Sequence, residues 1–357
     1  MTGFVADRVP GRPAVRVGPV SLVWRPRAIL VPAILVAVVV LLLALGVGLG
    51  DFPLSVPEVL RILAGGGTDA DRFIVLELRL PRSLTAMLVG LALGMSGAIT
   101  QSVTRNPLAS PDFLGVTAGA GAAAVALIVL GGAARGGVPA MVGLPVTAMA
   151  GGILTALALY LLAWGRGMEG FRLVLVGIAL SAMLTAVTSW LLVVADINEA
   201  TRAQVWLTGS LNGRGWEHVV PVASAVGVAG LVAVTTHGTL GALRLGDDST
   251  RSLGVRLQRG RAGLLGVAVL LASVAVAAAG PIAFVALIGP QVAMRLVRSA
   301  GPPLLAGGLV GAALVLVSDV VSRTLLPAEL PVGVLTAAVG ALYLIHLLVR
   351  RARRYDA

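Results

Sequence analysis

The sequence predicts an all-α polytopic membrane protein with about ten transmembrane helices. Three observations carry that expectation: a composition too apolar for a water-facing surface, ten apolar stretches near spanning length, and arginines gathered on alternate sides of them. Of 357 residues, 57% are hydrophobic and 12% charged, against about 25% charged in an ordinary soluble domain. Such a chain lacks the polar groups to cover a soluble surface.

The first tail, residues 1–27, holds five Arg and one Asp. Residues 28–50 then run without a charge. That run exceeds the roughly 7–15 apolar residues of a signal peptide, and Asp51 follows it. It reads as an anchored first span. A span needs about 20 mostly apolar residues. Stretches approaching this lie near 28–50, 84–104, 113–131, 139–163, 171–195, 218–235, 263–280, 282–297, 303–325 and 332–349. They make one membrane domain over 28–349, with a C-terminal tail at 350–357. The eighth stretch is short and broken by Pro290, with only Gly280-Pro281 before it. A bent helix or a continuation of the seventh would each fit, because broken helices are tolerated where protein surrounds them.

Charge sets the orientation. Segment 236–262 has five Arg and two Asp, whereas 51–83 has four Arg and five acids. A basic excess on one side throughout satisfies the positive-inside rule with ten crossings and both termini in the cytoplasm. In the outer segment, "LSVPEVLRILAGG" offers Ser55 as N-cap, Pro57 in the first turn, and Val56, Val59, Leu60 and Leu63 at helical spacing. A short helix ended by Gly65 to Gly67 is expected. The inner insert "LRLGDDSTRSLGVRLQRGR" (243–261) is too charged to span; a docking surface and a solvated linker both fit it.

Within the spans, Gly90, Gly94 and Gly97 fall on roughly one helix face, where small residues let backbones approach in lipid. Gln101 and Gln291 could join helices by hydrogen bonds. Asp319 is costly at membrane depth unless paired, and Arg323 follows it by one turn. A structural pair, a gate-positioning group and a proton-coupling acid are the readings open to it.

Several chemistries are excluded. The chain has no Cys and no Lys, which removes disulfides, Cys metal sites and the lysine of a GxxxxGK phosphate loop. His218, His237 and His346 are scattered, without an acid at ligand spacing, and neither HExxH nor GxSxG occurs. No enzyme activity, bound metal or bound cofactor is expected of this chain. The net charge of +11 lies between apolar runs rather than along a soluble face, so no nucleic acid is expected either.

"ELRLPRSLTAMLVGLALGMSGAITQSVTRNPLASPDFLGVTAGAGAA" (77–123) closely resembles the FecCD-type permeases of type II ATP-binding-cassette importers for iron–siderophore complexes, cobalamin and haem. "LVGIALSAM" (175–183), "WLTGSLNGRGW" (206–216), "AGPIAFVALIGPQVAMRLV" (279–297), "LVSDVVSRTLL" (316–326) and "AELPVGVLTAAVGALYLIHLLVR" (328–350) follow in family order. The resemblance implies the type II importer permease fold and a second permease subunit, identical or a sister. It also implies two ATPase subunits that use ATP and Mg, and an extracytoplasmic binding protein that delivers the cargo. It further implies that Arg79 and Arg82 of the RLPR corner, with Arg323, meet acidic residues of that binding protein. Leu245, Gly246, Asp247, Ser252, Leu253 and Gly254 match the family's coupling region on the ATPases. Asn106 and Pro107, in the TRNPLASP elbow, are expected to shape the inner end of the pathway. Gln291, where many members have His, resembles permeases for enterobactin-type siderophores and points to a ferric siderophore cargo, with cobalamin or haem as alternatives. An ion-coupled secondary transporter is the competing class; it predicts further buried acids.

Because the chain lacks Cys, its topology is testable by single introduced cysteines. One within 243–261 and one beside Arg82 are expected to react with an impermeant reagent from opposite sides of the membrane; labelling from the same side would overturn the assigned orientation.

Overall fold

The computed structural model describes residues 14–17, 20–23, 26–50, 52–131, 140–163, 170–243, 246, 250, 252, 257–325 and 329–352. Their architecture is helical. The apolar helices are α1 (Pro26–Gly48), α4 (Leu80–Thr104), α5 (Val116–Gly131), α6 (Ala140–Ala163), α7 (Gly170–Val194), α9 (Trp216–Thr235), α11 (Leu257–Ala279), α12 (Val285–Val297), α13 (Leu304–Thr324) and α14 (Val332–Ala352). Between them lie the short helices α2 (Val56–Leu63), α3 (Asp69–Arg72), α8 (Ile197–Leu207) and α10 (His237–Leu243).

Six of the apolar helices are long enough to cross a bilayer by length and composition, and four are shorter. All ten occupy the apolar positions read from the sequence. Large apolar side chains face outward: Leu30 and Leu41 on α1, Leu154 and Leu161 on α6, Trp190 and Val193 on α7, Leu342 on α14. A surface of this kind is stable against hydrocarbon, and helices satisfy their own backbone groups there. The protein is therefore a multi-pass membrane protein.

Three features depart from the sequence reading. The N-terminal tail carries a small antiparallel hairpin, Ala14–Val17 with Val20–Val23, in register Ala14↔Val23 and Val17↔Val20. The second span begins well before residue 84: α3, a π-helical stretch Phe73–Arg79 and α4 run on continuously. The 196–217 connection contains α8. The second difference has a clear cause. Arg79, Pro81 and Arg82 read as loop residues, but tertiary partners satisfy them inside the helix. In a π turn the Leu76 carbonyl looks to residue 81, and Pro81 has no N–H. The Trp216 indole Nε1 donates to that carbonyl instead, at 3.1 Å.

The Ser55 helix forms over Val56–Leu63, and Glu58 closes it by accepting from the Ser55 backbone N–H at 2.8 Å. The eighth apolar stretch is a helix of its own. α11 stops at Ala279, Gly280 has φ +73°, and Phe284 at φ 67° begins α12.

α4 is the centre of the bundle, packed by α1, α9, α11, α12 and α13. Its small residues permit this. A Cβ on Gly90 would lie 2.4 Å from the Gly311 carbonyl oxygen, and one on Gly94 would lie 2.3 Å from that of Gly307. The backbones of α4 and α13 therefore touch. Gly97 backs onto the Ala286 carbonyl of α12, whose helical donor would have been the N–H that Pro290 lacks. Nearby, Gln291 Nε2 donates to Gln101 Oε1 at 2.7 Å, and Gln101 Nε2 donates to the Leu287 carbonyl at 3.1 Å. Both glutamines are buried, so they join α4 to α12 within the protomer.

Gly94→Leu is expected to destabilise the protein by at least about 1–3 kcal/mol through forced separation of α4 and α13. Gly227→Ala on α9, where a Cβ meets nothing within 4 Å, is expected to be neutral or stabilising. Thermal unfolding in detergent compares the two.

Candidate functional site

At the end of the bundle where α4 begins and α13 ends, four charged side chains converge. Arg82 Nε donates to Asp319 Oδ1 at 3.0 Å, and its Nη2 lies 2.9 Å from the same oxygen. Arg323 Nη2 sits 2.9 Å from Asp319 Oδ2, an ion pair rather than an aligned hydrogen bond. Glu329 Oε1 accepts from Arg82 Nη2 on the outer side. The Asp319 side chain is 1% exposed, those of Arg82 and Arg323 are 12% and 11%, and that of Glu329 is 40%.

The sequence pairs Asp319 with Arg323 alone. The structure adds Arg82, which approaches from a helix 237 positions away. A one-turn spacing is visible in a sequence; an inter-helix approach is not. Glu329 escaped the sequence reading altogether. Its one signal was its place in the ELPVG motif, next to the arginine of the preceding helix. Both carboxylate oxygens of Asp319 face guanidinium groups, so the pair expected with Arg323 is enlarged to a triad. Burying these charges is costly in itself. Removing one partner of such a set costs more than the set contributes, because a buried charge is left uncompensated.

Arg79 belongs to the same corner but does different work. The sequence assigns it to a docking face. The structure buries it, with Nη1 donating to the carbonyls of Val47 and Gly48 at 3.2 and 3.3 Å and Nη2 to that of Phe52 at 2.8 Å. Arg323 Nη2 also donates to the Gly46 carbonyl at 3.1 Å. The last carbonyls of a helix have no partner within the helix and attract cations. Arg79 and Arg323 together cap α1 and hold it to the corner.

The opposite end carries the TRNPLASP elbow. α4 ends at Arg105 in the left-handed region, φ 52°. Asn106 Oδ1 accepts from the Leu108 N–H at 3.0 Å, a side-chain turn that reverses the chain after Pro107. Asp112 accepts from Ser110 at 3.2 Å and from Thr117 on α5. Burial pushes its carboxyl upward, and the two hydroxyls pull it back. Of the coupling residues read from the sequence, Leu245, Asp247, Leu253 and Gly254 lie outside the described residues. Gly246 has φ +101°, and a Cβ there would sit 3.8 Å from Arg105 Nη1; Ser252 is exposed. The elbow and the insert are thus neighbours. Among the described residues no group of three His, Asp or Glu side chains could hold a metal ion.

A multi-pass helical bundle, with charge concentrated at its two ends and its centre built by backbone contact, has the architecture of a membrane transport permease. Residues 35–350 match the FecCD transport family, and the chain belongs to it. It is 40% identical over 310 residues to the ferric enterobactin transport system permease protein FepG of Escherichia coli (strain K12), covering 87% of this chain and 92% of that one. It is 41% identical over 322 residues to the achromobactin transport system permease protein CbrC of Dickeya dadantii (strain 3937), covering 89% and 90%. A solved inward-facing ABC transporter assigned to the metal-chelate type superposes with TM-score 0.79 at 28% identity, over 90% of this chain and 99% of that one.

Asp319→Ala is expected to lower stability by about 3–5 kcal/mol, since it takes the carboxylate from the buried Arg323 and leaves Arg82 only the exposed Glu329. Glu329→Ala, which removes an exposed partner, is expected to cost no more than about 1 kcal/mol. Denaturation in micelles measures both, and equal losses would refute the triad.

Proposed function

We propose that this chain is the transmembrane permease subunit of an ATP-driven importer in the cell membrane that carries a ferric siderophore complex into the cytoplasm. The observation that carries the cargo is similarity across most of the chain to permeases named for enterobactin and achromobactin. Gln291 adds to it. In this reading the chain crosses the membrane ten times with both tails inside. It pairs with a second permease, works with two ATPase subunits, and receives cargo from an extracytoplasmic binding protein.

The docking contact falls to Arg82, supported by Arg323. Arg79 acts indirectly by fixing α1. A guanidinium meeting a carboxylate gives steering and registry, and a rim contact of this kind weakens with salt. The inner insert, with Gly246, Ser252 and the adjoining residues 245, 247, 253 and 254, couples to the ATPases, and Arg105 links it to the elbow below α4.

Reconstitution with the ATPase and binding protein of the same transport system should yield uptake of a labelled ferric catecholate siderophore. Uptake of cobalamin or haem instead would overturn the cargo. Arg82→Glu is expected to abolish delivery while leaving membrane insertion intact; wild-type uptake by this variant would refute the docking role. Leu253→Asp should leave ATP hydrolysis running without transport, and unchanged coupling would remove the insert from the coupling step.

A further inference from the structure

We infer that Glu329 is a built-in occupant of the Arg82 docking position, a carboxylate latch that an acidic side chain of the partner displaces. The inference rests on the docking role of Arg82 proposed above.

The two carboxylates on Arg82 differ in kind. Asp319 lies on α13, is buried, and engages Nε and Nη2 from the protein side. Glu329 lies in the short non-helical segment before α14, is the most exposed of the four charged groups, and takes Nη2 from outside. Rotating the Glu329 side chain away requires no helix to move. Rotating Asp319 away would break the contacts to Arg82 and Arg323 together.

Charge counting gives the consequence. Two guanidinium groups and two carboxylates are neutral as a set. With Glu329 swung out, the corner keeps a net positive charge, and the guanidinium it uncovers is that of Arg82. An incoming carboxylate restores neutrality at the same donor. Docking then becomes an exchange of one carboxylate for another, and most of the attraction offsets a contact already present. Such an exchange favours a contact that forms and releases each cycle over one that locks. Asp319 keeps the Arg82 fork in place throughout, so the partner meets a pre-oriented donor. A basic or neutral side chain offers nothing in exchange, which restricts the partner to an acidic one.

The test uses the full chain in nanodiscs with the binding protein of the same transport system, and phenylglyoxal as a separate probe of Arg82. Glu329→Gln is expected to tighten binding about two- to fivefold at low salt and to speed modification of Arg82, read by mass spectrometry. In an Arg82→Ala background the same substitution should give no gain. Wild-type affinity and wild-type Arg82 reactivity in Glu329→Gln would overturn the latch. So would a gain that persists without Arg82, because it would reflect only the loss of a nearby negative charge. The docking reading fails differently: Arg82→Glu would then bind as wild type. If Arg82→Glu loses binding while Glu329→Gln changes nothing, docking stands and the latch falls.

Discussion

Gly90 and Gly94 of α4 lie against Gly311 and Gly307 of α13 with no side chain between them, and the charged end of the bundle where α4 begins follows from that contact. Helices packed through ordinary side chains stand about 8–10 Å apart. Backbone contact removes much of that gap and brings Arg82, at the start of α4, within hydrogen-bond distance of Asp319, near the end of α13. Lipid supplies no hydrophobic drive for such packing, so close van der Waals fit and the polar contacts at its ends must hold it. The triad is one of those contacts. Glycine packing positions the charges, and the charges in turn fasten the ends of the packed pair.

The same economy of backbone runs along the whole of α4. At its start, Pro81 leaves a carbonyl that Trp216 of α9 reaches. Further in, Gly97 gives room to the carbonyl that Pro290 leaves open on α12, and the two glutamines bond across the same interface. At its far end, Asn106 turns the chain. Pro81 and Pro290 thus stand where a neighbouring helix is tied in. α1 contrasts with this. It fully buries few residues along its length and is joined to the corner through its terminal carbonyls, held by Arg79 and Arg323.

For a transport subunit this arrangement separates duties. Buried residues such as Asp319, Arg79 and the glutamines join helices to one another, and more exposed ones such as Glu329 and Ser252 lie at the two ends. An arginine can do either task. Arg79 and Arg82 stand three positions apart in one motif, yet one turns inward to a helix end and the other outward to Glu329. Their chemistry is the same, and their surroundings divide them.

The amino-acid sequence by itself determined the class and the helices. Apolar run length is a property of the chain, so ten helices were legible, as were the Ser55 cap, the small-residue face of α4 and the family motifs. Helix limits near residue 80 were not legible, because proline and arginine there are satisfied by groups distant in the chain. The partner of Asp319 was half legible: Arg323 lies one turn away, but Arg82 and Glu329 reach it only after α4 and α13 have packed. Tertiary structure alone decided which arginine caps a helix and which pairs with carboxylates, since each partner is a neighbour that sequence spacing does not encode.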